Sequence, residues 1–292
     1  MEDASTEAHA GVPARDTWPI IVGGVHRSGT SLVRRILNAH SRIYCGPEPN
    51  FWRDFYGDSA RDPLRSRVAG LFQRYLPMQL SDDRFLSASR ALLPESDLVD
   101  ILGRALIEIQ ETATRRAGKA RWADKDPANV VYLTQWQSLL ASQWLFLHVV
   151  RNPLDTIASI KEIRFPWVIP SSLAGRIEFY QRYTQAGLDF ERIHPDRYCR
   201  LIYEQLVADP VATLSRVMQW AGEEFEQSQL SFNKAHHQAG FEDPKVAKTS
   251  TIHSQSAGRW RQMLSPKEAE RVMRECGCLW SRIDPAGQYV DL

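Results

Sequence analysis

Cysteine is scarce: Cys45, Cys199, Cys276 and Cys278 are the only four in 292 residues. No C-x2-C pair occurs, and Cys276 and Cys278 are too close for an easy mutual bridge, so neither a disulfide framework nor a cysteine-built zinc site is expected. His236-His237 lacks carboxylate or cysteine company at metal spacing and reads as a surface pair, leaving no expected metal. Long apolar runs are also lacking. The longest, Trp144 to Val150, is far shorter than the roughly 20 residues of a membrane span. Residues 1–16 have neither the basic start nor the apolar stretch of a secretory signal and read as a loose polar tail. A cytoplasmic protein that engages no membrane is expected. The chain lacks an excess of charge of either sign, its formal net charge being +1. No global field draws it to nucleic acid, and any anion recognition must be local.

The chain is 43% hydrophobic and 24% charged, enough apolar content for one globular domain over residues 17–292. Trp18 to Val22 is a short apolar run that meets glycines, and from Ser28 onward Leu32, Val33, Ile36 and Leu37 recur at helical spacing. Ser96 to Arg116 carries a 3.6-residue pattern. Arg121 to Ala123 reads as a strand end, 129–140 as a helix and Trp144 to Val150 as a buried parallel strand. Further helices are expected from Pro153, over Ser172 to Ile193, from Asp209-Pro210 and after Ser265-Pro266, with a strand at Tyr198 to Tyr203. Alternating strands and helices predict an α/β fold of P-loop type, three layers around a central parallel sheet. The aromatic, basic and proline-broken stretch at about 55–95 reads as a helical insertion over the site.

Gly24-Val-His-Arg-Ser-Gly-Thr-Ser31 falls between the first strand and first helix. Its outline, G-x4-G-T-S, is a Walker A frame with Thr30 where lysine would stand. Free N–H groups at a helix N-terminus and the helix dipole hold an anion regardless, so Ser28, Gly29, Thr30 and Ser31 are candidate phosphate ligands. Arg27 supplies the missing positive charge. Absence of the lysine that bridges β- and γ-phosphates argues against a small-molecule kinase, which stays as the alternative reading, alongside a non-catalytic nucleotide-binding protein.

His26-Arg-Ser-Gly-Thr-Ser31, Cys45-Gly-Pro-Glu48, Lys125-Asp-Pro127, Val150-Arg-Asn-Pro-Leu-Asp155 with Ser159, and Tyr203-Glu-Gln-Leu-Val207 follow one another in order. In order and spacing they resemble the motifs of sulfotransferases that use 3′-phosphoadenosine-5′-phosphosulfate (PAPS), closest to the tyrosylprotein branch and its bacterial relatives. The resemblance implies sulfuryl transfer from PAPS to a hydroxyl, releasing 3′-phosphoadenosine-5′-phosphate (PAP), with no metal. It implies Glu48 as general base, Lys125 and Arg27 on the sulfuryl group and leaving phosphate, Arg151 and Ser159 on the 3′-phosphate, and Arg259 and Trp260 in a nucleotide-closing segment. Tyr203 is a candidate neighbour of the adenine or a phosphate. Gly258 stands where the tyrosylprotein branch has a serine, so a catalytic hydrogen bond there is not expected to carry over.

The bland readings stand beside these. Lys125 could be a solvated lysine paired to Asp124 or Asp126, and Tyr203 an ordinary strand tyrosine. Trp136, Trp144, Trp220 and Trp280 read as core. Phe51, Trp52, Phe165 and Trp167 adjoin motif segments and read as acceptor walls, pointing to a phenolic or otherwise apolar small-molecule alcohol over a polysaccharide; a peptide hydroxyl is the other acceptor implied.

Overall fold

A computed structural model describes residues 15–52, 92–162, 169–238, 246 and 249–289. The stretch read as an insertion lies almost wholly outside them. The strands are β1 (Ile20–Gly24), β2 (Ile43–Cys45), β3 (Arg121–Lys125), β4 (Leu145–Val150) and β5 (Tyr198–Ile202), in the order β2-β3-β1-β4-β5. Every neighbouring pair is parallel. Among the described residues the helices of six or more residues are α1 (Thr30–Ala39), α2 (Glu95–Arg116), α3 (Leu133–Leu140), α4 (Pro153–Lys161), α5 (Leu173–Ile193), α6 (Tyr203–Ala208), α7 (Pro210–Ala221) and α8 (Pro266–Ser281).

Both faces of the sheet are covered, which is why β1 and β4 are near-continuous apolar runs. On one face Ile20, Val22, Leu145 and Leu147 pack with Val33, Ile36 and Leu37 of α1 and Leu214 and Val217 of α7. On the other, Ile21 and Phe146 pack with Trp136 of α3, Ile157 of α4 and Ile177, Phe179 and Tyr183 of α5. Each fully buried aliphatic chain of this kind contributes roughly 1.5–3 kcal/mol. Trp136, Trp144 and Trp280 are buried, as expected of core, and Trp220 packs partly buried against the α1 and α7 face.

Helix starts follow the capping chemistry in the sequence. Asn152 accepts from the Leu154 N–H at 2.8 Å before Pro153, Asp209 from Ala212 at 3.0 Å before Pro210, and Ser265 shares a capping box with Glu268. Two readings need correction. The helix expected over 129–140 is a 3-10 turn, Pro127–Val131, followed by α3, because Asp126 caps the turn by accepting from Ala128 at 2.9 Å. The strand expected to end at Ala123 runs to Lys125, its register with β1 pairing Val22 with Lys125. All four cysteines are free.

The order in which strands are added across the sheet reverses at β1. The connection after β1 leads to β2 at one edge, and the one after β3 leads to β4 on the other side of β1. In such sheets ligands sit beyond the strand C-termini at that switch point.

Candidate active site

The C-terminal end of each strand delivers a residue singled out in the sequence. The loop of Arg27 to Ser31 follows β1, Glu48 follows β2, Lys125 ends β3, Arg151 follows β4 and Tyr203 follows β5.

The loop after β1 is shaped by close approach. A Cβ at Gly24 would lie 2.1 Å from the Val149 carbonyl of β4, so β1 and β4 meet there only through a glycine. Gly29 has φ 108° and caps the N-terminus of α1; a Cβ on it would lie 2.6 Å from the Tyr203 ring. Arg27 is also left-handed, φ 74°, and its Nε donates to Ser159 Oγ at 3.2 Å. The loop and α4 residues assigned separately to phosphate are thereby brought together. Ser28 is wholly buried, and its Oγ has no hydrogen-bond partner.

Arg151 is 7% exposed. Its guanidinium lies 4.5 Å from the Tyr203 ring centroid and 3.8 Å from Asp155, and it donates to the carbonyls of Arg27, at 3.2 Å, and Ser256. Its Nε is buried without a partner. A nucleotide bearing phosphates fits this set: two orphaned donors, Ser28 Oγ and Arg151 Nε, stand with the first N–H groups of α1, whose dipole favours an anion. The Tyr203 ring thus lies against both Gly29 and Arg151.

Lys125 has a fully buried side chain, and its Nζ donates to the Glu48 carboxylate and, at 3.3 Å, to Ser31 Oγ. Its partner is therefore neither Asp124 nor Asp126. Glu48 is placed by residues the sequence reading did not weigh for that role. Arg34 Nε in α1 donates to the Gly46 carbonyl at 2.7 Å, and Asn38 Oδ1 accepts from the Cys45 N–H at 3.1 Å. Lys119 Nζ donates to the carbonyls of Asn38, His40 and Ile43, tying the end of α1 to β2. Arg34 and Asn38, one helical turn apart behind the loop, were the available signal.

Two buried carboxyls flank the site. Asp124 accepts from Asn129 at 2.8 Å and Gln110 at 3.1 Å, and burial pushes its carboxyl up to about 7. Glu204 accepts from the Asn152 N–H at 3.0 Å; burial raises it to about 7 against the lowering pull of Arg151.

The remaining candidates differ in their surroundings. Phe51 and Trp52 are each 3% exposed and pack with Trp136 in the core, Trp52 at 5.4 Å between ring centroids. Phe165 and Trp167 lie outside the described residues. Arg259 pairs with Glu162 at 2.8 Å at the end of α4, and the Trp260 N–H donates to Asp155 at 3.0 Å. His236 is exposed and His237 half-buried: the His236 carbonyl accepts from Asn38 at 2.9 Å, and His237 Nε2 lies 2.6 Å from the Phe232 carbonyl. Among the described residues no cluster of three or more metal-ligating side chains occurs, and no helix is long and apolar enough to cross a membrane.

A parallel sheet in this order, with an anion cradle on β1 and a lysine–carboxylate pair beside it, defines a P-loop-type group-transfer protein. The sulfotransferase family model matches residues 19–227, and the chain belongs to that family. Its fold is similar to the sulfotransferase domain of the Synechococcus PCC 7002 olefin synthase, with TM-score 0.58, 20% identity and coverage of 89% of this chain and 96% of that one. It is also similar to the sulfotransferase domain from the curacin biosynthetic pathway, with TM-score 0.60, 20% identity and coverage of 89% and 98%. Neither likeness singles out the tyrosylprotein branch.

Proposed function

We propose that this sulfotransferase moves a sulfuryl group from PAPS to the hydroxyl of a phenolic or otherwise apolar small molecule, releasing PAP. The observation that carries the reading is the Lys125–Glu48 pair one hydrogen bond from Ser31, in the loop whose Arg27 carbonyl accepts from Arg151.

Glu48 takes the proton of the acceptor hydroxyl, whose oxygen forms the new O–S bond as the S–O bond to the 5′-phosphate breaks on the opposite side. Lys125, at the seam between Glu48 and the loop, meets the negative charge that develops on the sulfuryl oxygens and the bridging oxygen. Arg27, Ser31 and the first N–H groups of α1 hold the 5′-phosphate, and Arg151 and Ser159 hold the 3′-phosphate. The apolar preference for the acceptor rests on the aromatic composition of the sequence after Glu48.

Incubation with PAPS and a panel of phenols and aliphatic alcohols, following PAP release, tests the proposal. Turnover abolished by Glu48→Gln is expected. Turnover only on a highly anionic glycan would overturn the acceptor, and phosphoryl transfer from ATP would overturn the reaction.

A further inference from the structure

Asp155 lies one helical turn beyond Arg151 and is 2% exposed. Its two carboxylate oxygens accept from main-chain N–H groups of a distant segment, Oδ2 from Gly258 at 2.7 Å and Oδ1 from Trp260 at 3.0 Å. Its neighbour Arg151, 3.8 Å away, donates to the carbonyl of Ser256 in that segment and to the carbonyl of Arg27 in the phosphate loop. Two N–H groups two residues apart converge on one carboxylate because the chain turns between them at Gly258, φ 74°. Arg259, the intervening side chain, is tethered to Glu162 at the far end of α4. One Arg–Asp pair therefore fixes four main-chain positions, one in the loop after β1 and three in the C-terminal segment.

A carboxylate this close to a phosphate-binding guanidinium weakens the field an incoming anion meets. Its presence in a nucleotide site calls for an offsetting role, and the Gly258 and Trp260 contacts supply one. We propose that Asp155 is a positioning residue that holds residues 256–260 closed over the 3′-phosphate side of the nucleotide and keeps Arg151 aimed at the 3′-phosphate. The proposal deepens the PAPS reading and rests on it for the identity of the ligand. As a mere counter-charge, Asp155 would lower PAP affinity, and neutralising it would tighten binding. As an anchor it acts in the opposite direction.

The experiment compares wild type, Asp155→Asn and Gly258→Pro by calorimetric titration with PAP and with 5′-AMP, and by limited trypsin cleavage after Arg259 and Arg261. Gly258→Pro removes one of the two donated N–H groups and, because proline cannot adopt φ 74°, also opens the turn, both from the partly exposed side and leaving the buried helix intact. The loss of one charge-assisted contact predicts PAP binding about tenfold weaker in both variants. Affinity for 5′-AMP, which lacks the 3′-phosphate, is expected to stay within about twofold, with faster cleavage at both arginines. Equal losses for PAP and AMP, or tighter PAP binding in Asp155→Asn, would overturn the positioning role. Should wild type bind no PAP, the donor reading fails instead; faster cleavage in Asp155→Asn would still support the anchor, and unchanged cleavage would overturn it.

Discussion

The Lys125 ammonium, fully buried at the end of β3, is paired with the Glu48 carboxylate, whose side chain keeps 12% of its surface in contact with solvent. The two halves of the pair therefore differ in what their loss leaves behind. Removing Glu48 strands a buried cation, whereas removing Lys125 leaves a carboxylate that water still reaches.

Glu48→Gln is accordingly expected to lower stability more than Lys125→Met, with the double variant less destabilised than the sum of the two. Thermal or urea unfolding of the four proteins measures this, with a coupling of about 1–3 kcal/mol expected. Additive effects would mean that the pair is not formed in solution.

The same Glu48→Gln substitution should lower kcat by about 10²–10⁴-fold, the usual range for loss of a general base, while PAP affinity stays near that of wild type. Steady-state kinetics on an accepted phenol, with a PAP titration, separates these effects. An equal loss in PAP binding would make Glu48 a structural support of the nucleotide site.

Gly29→Ala tests the cradle. Its φ of 108° and the 2.6 Å approach of a Cβ to the Tyr203 ring leave no room for a side chain. A cost of about 1–3 kcal/mol for the strained backbone predicts a lower unfolding temperature and weaker PAP binding. Wild-type behaviour in both would place the Tyr203 ring elsewhere.

These tests concern residues that the sequence exposed well, because P-loop-type sheets put chemistry at strand C-termini and the strands there are legible as apolar runs. What was hidden is instructive. Strand β3 looked finished at Ala123 because Asp124 and Lys125 resemble a loop, yet both are buried, Asp124 on Asn129 and Gln110 and Lys125 on Glu48. Only partners outside the strand make it possible, and local pattern does not carry them. Strand β2 is three residues long and its Ile43-Tyr-Cys45 run is too short to stand out. The clasp at Asp155 joins positions over a hundred residues apart, so spacing along the chain gave no hint of it. The 3-10 turn at Pro127–Val131 was hidden by an apolar pattern shared with the start of a helix.

Glu204 gives a pH prediction. Its folded carboxyl is raised to about 7 by burial, above the ordinary 4.5. The stability it contributes is therefore complete below about 4.5 and is lost as pH rises through about 7. Glu204→Gln keeps an acceptor for the Asn152 N–H and removes this loss, so its unfolding temperature relative to wild type should be higher at pH 8 than at pH 5.5. A difference independent of pH would mean that Glu204 titrates as an ordinary surface carboxylate.

The central claim is that the loop after β1 and Arg151 together read a nucleotide with a 3′-phosphate. Calorimetric titration of wild type and Arg151→Ala with PAP, 5′-AMP and ATP·Mg tests it most directly. Tight PAP binding, weak binding of the other two, and a loss of about tenfold or more for PAP in Arg151→Ala is the predicted result. ATP·Mg bound in preference to PAP, or PAP affinity unchanged in Arg151→Ala, would contradict it.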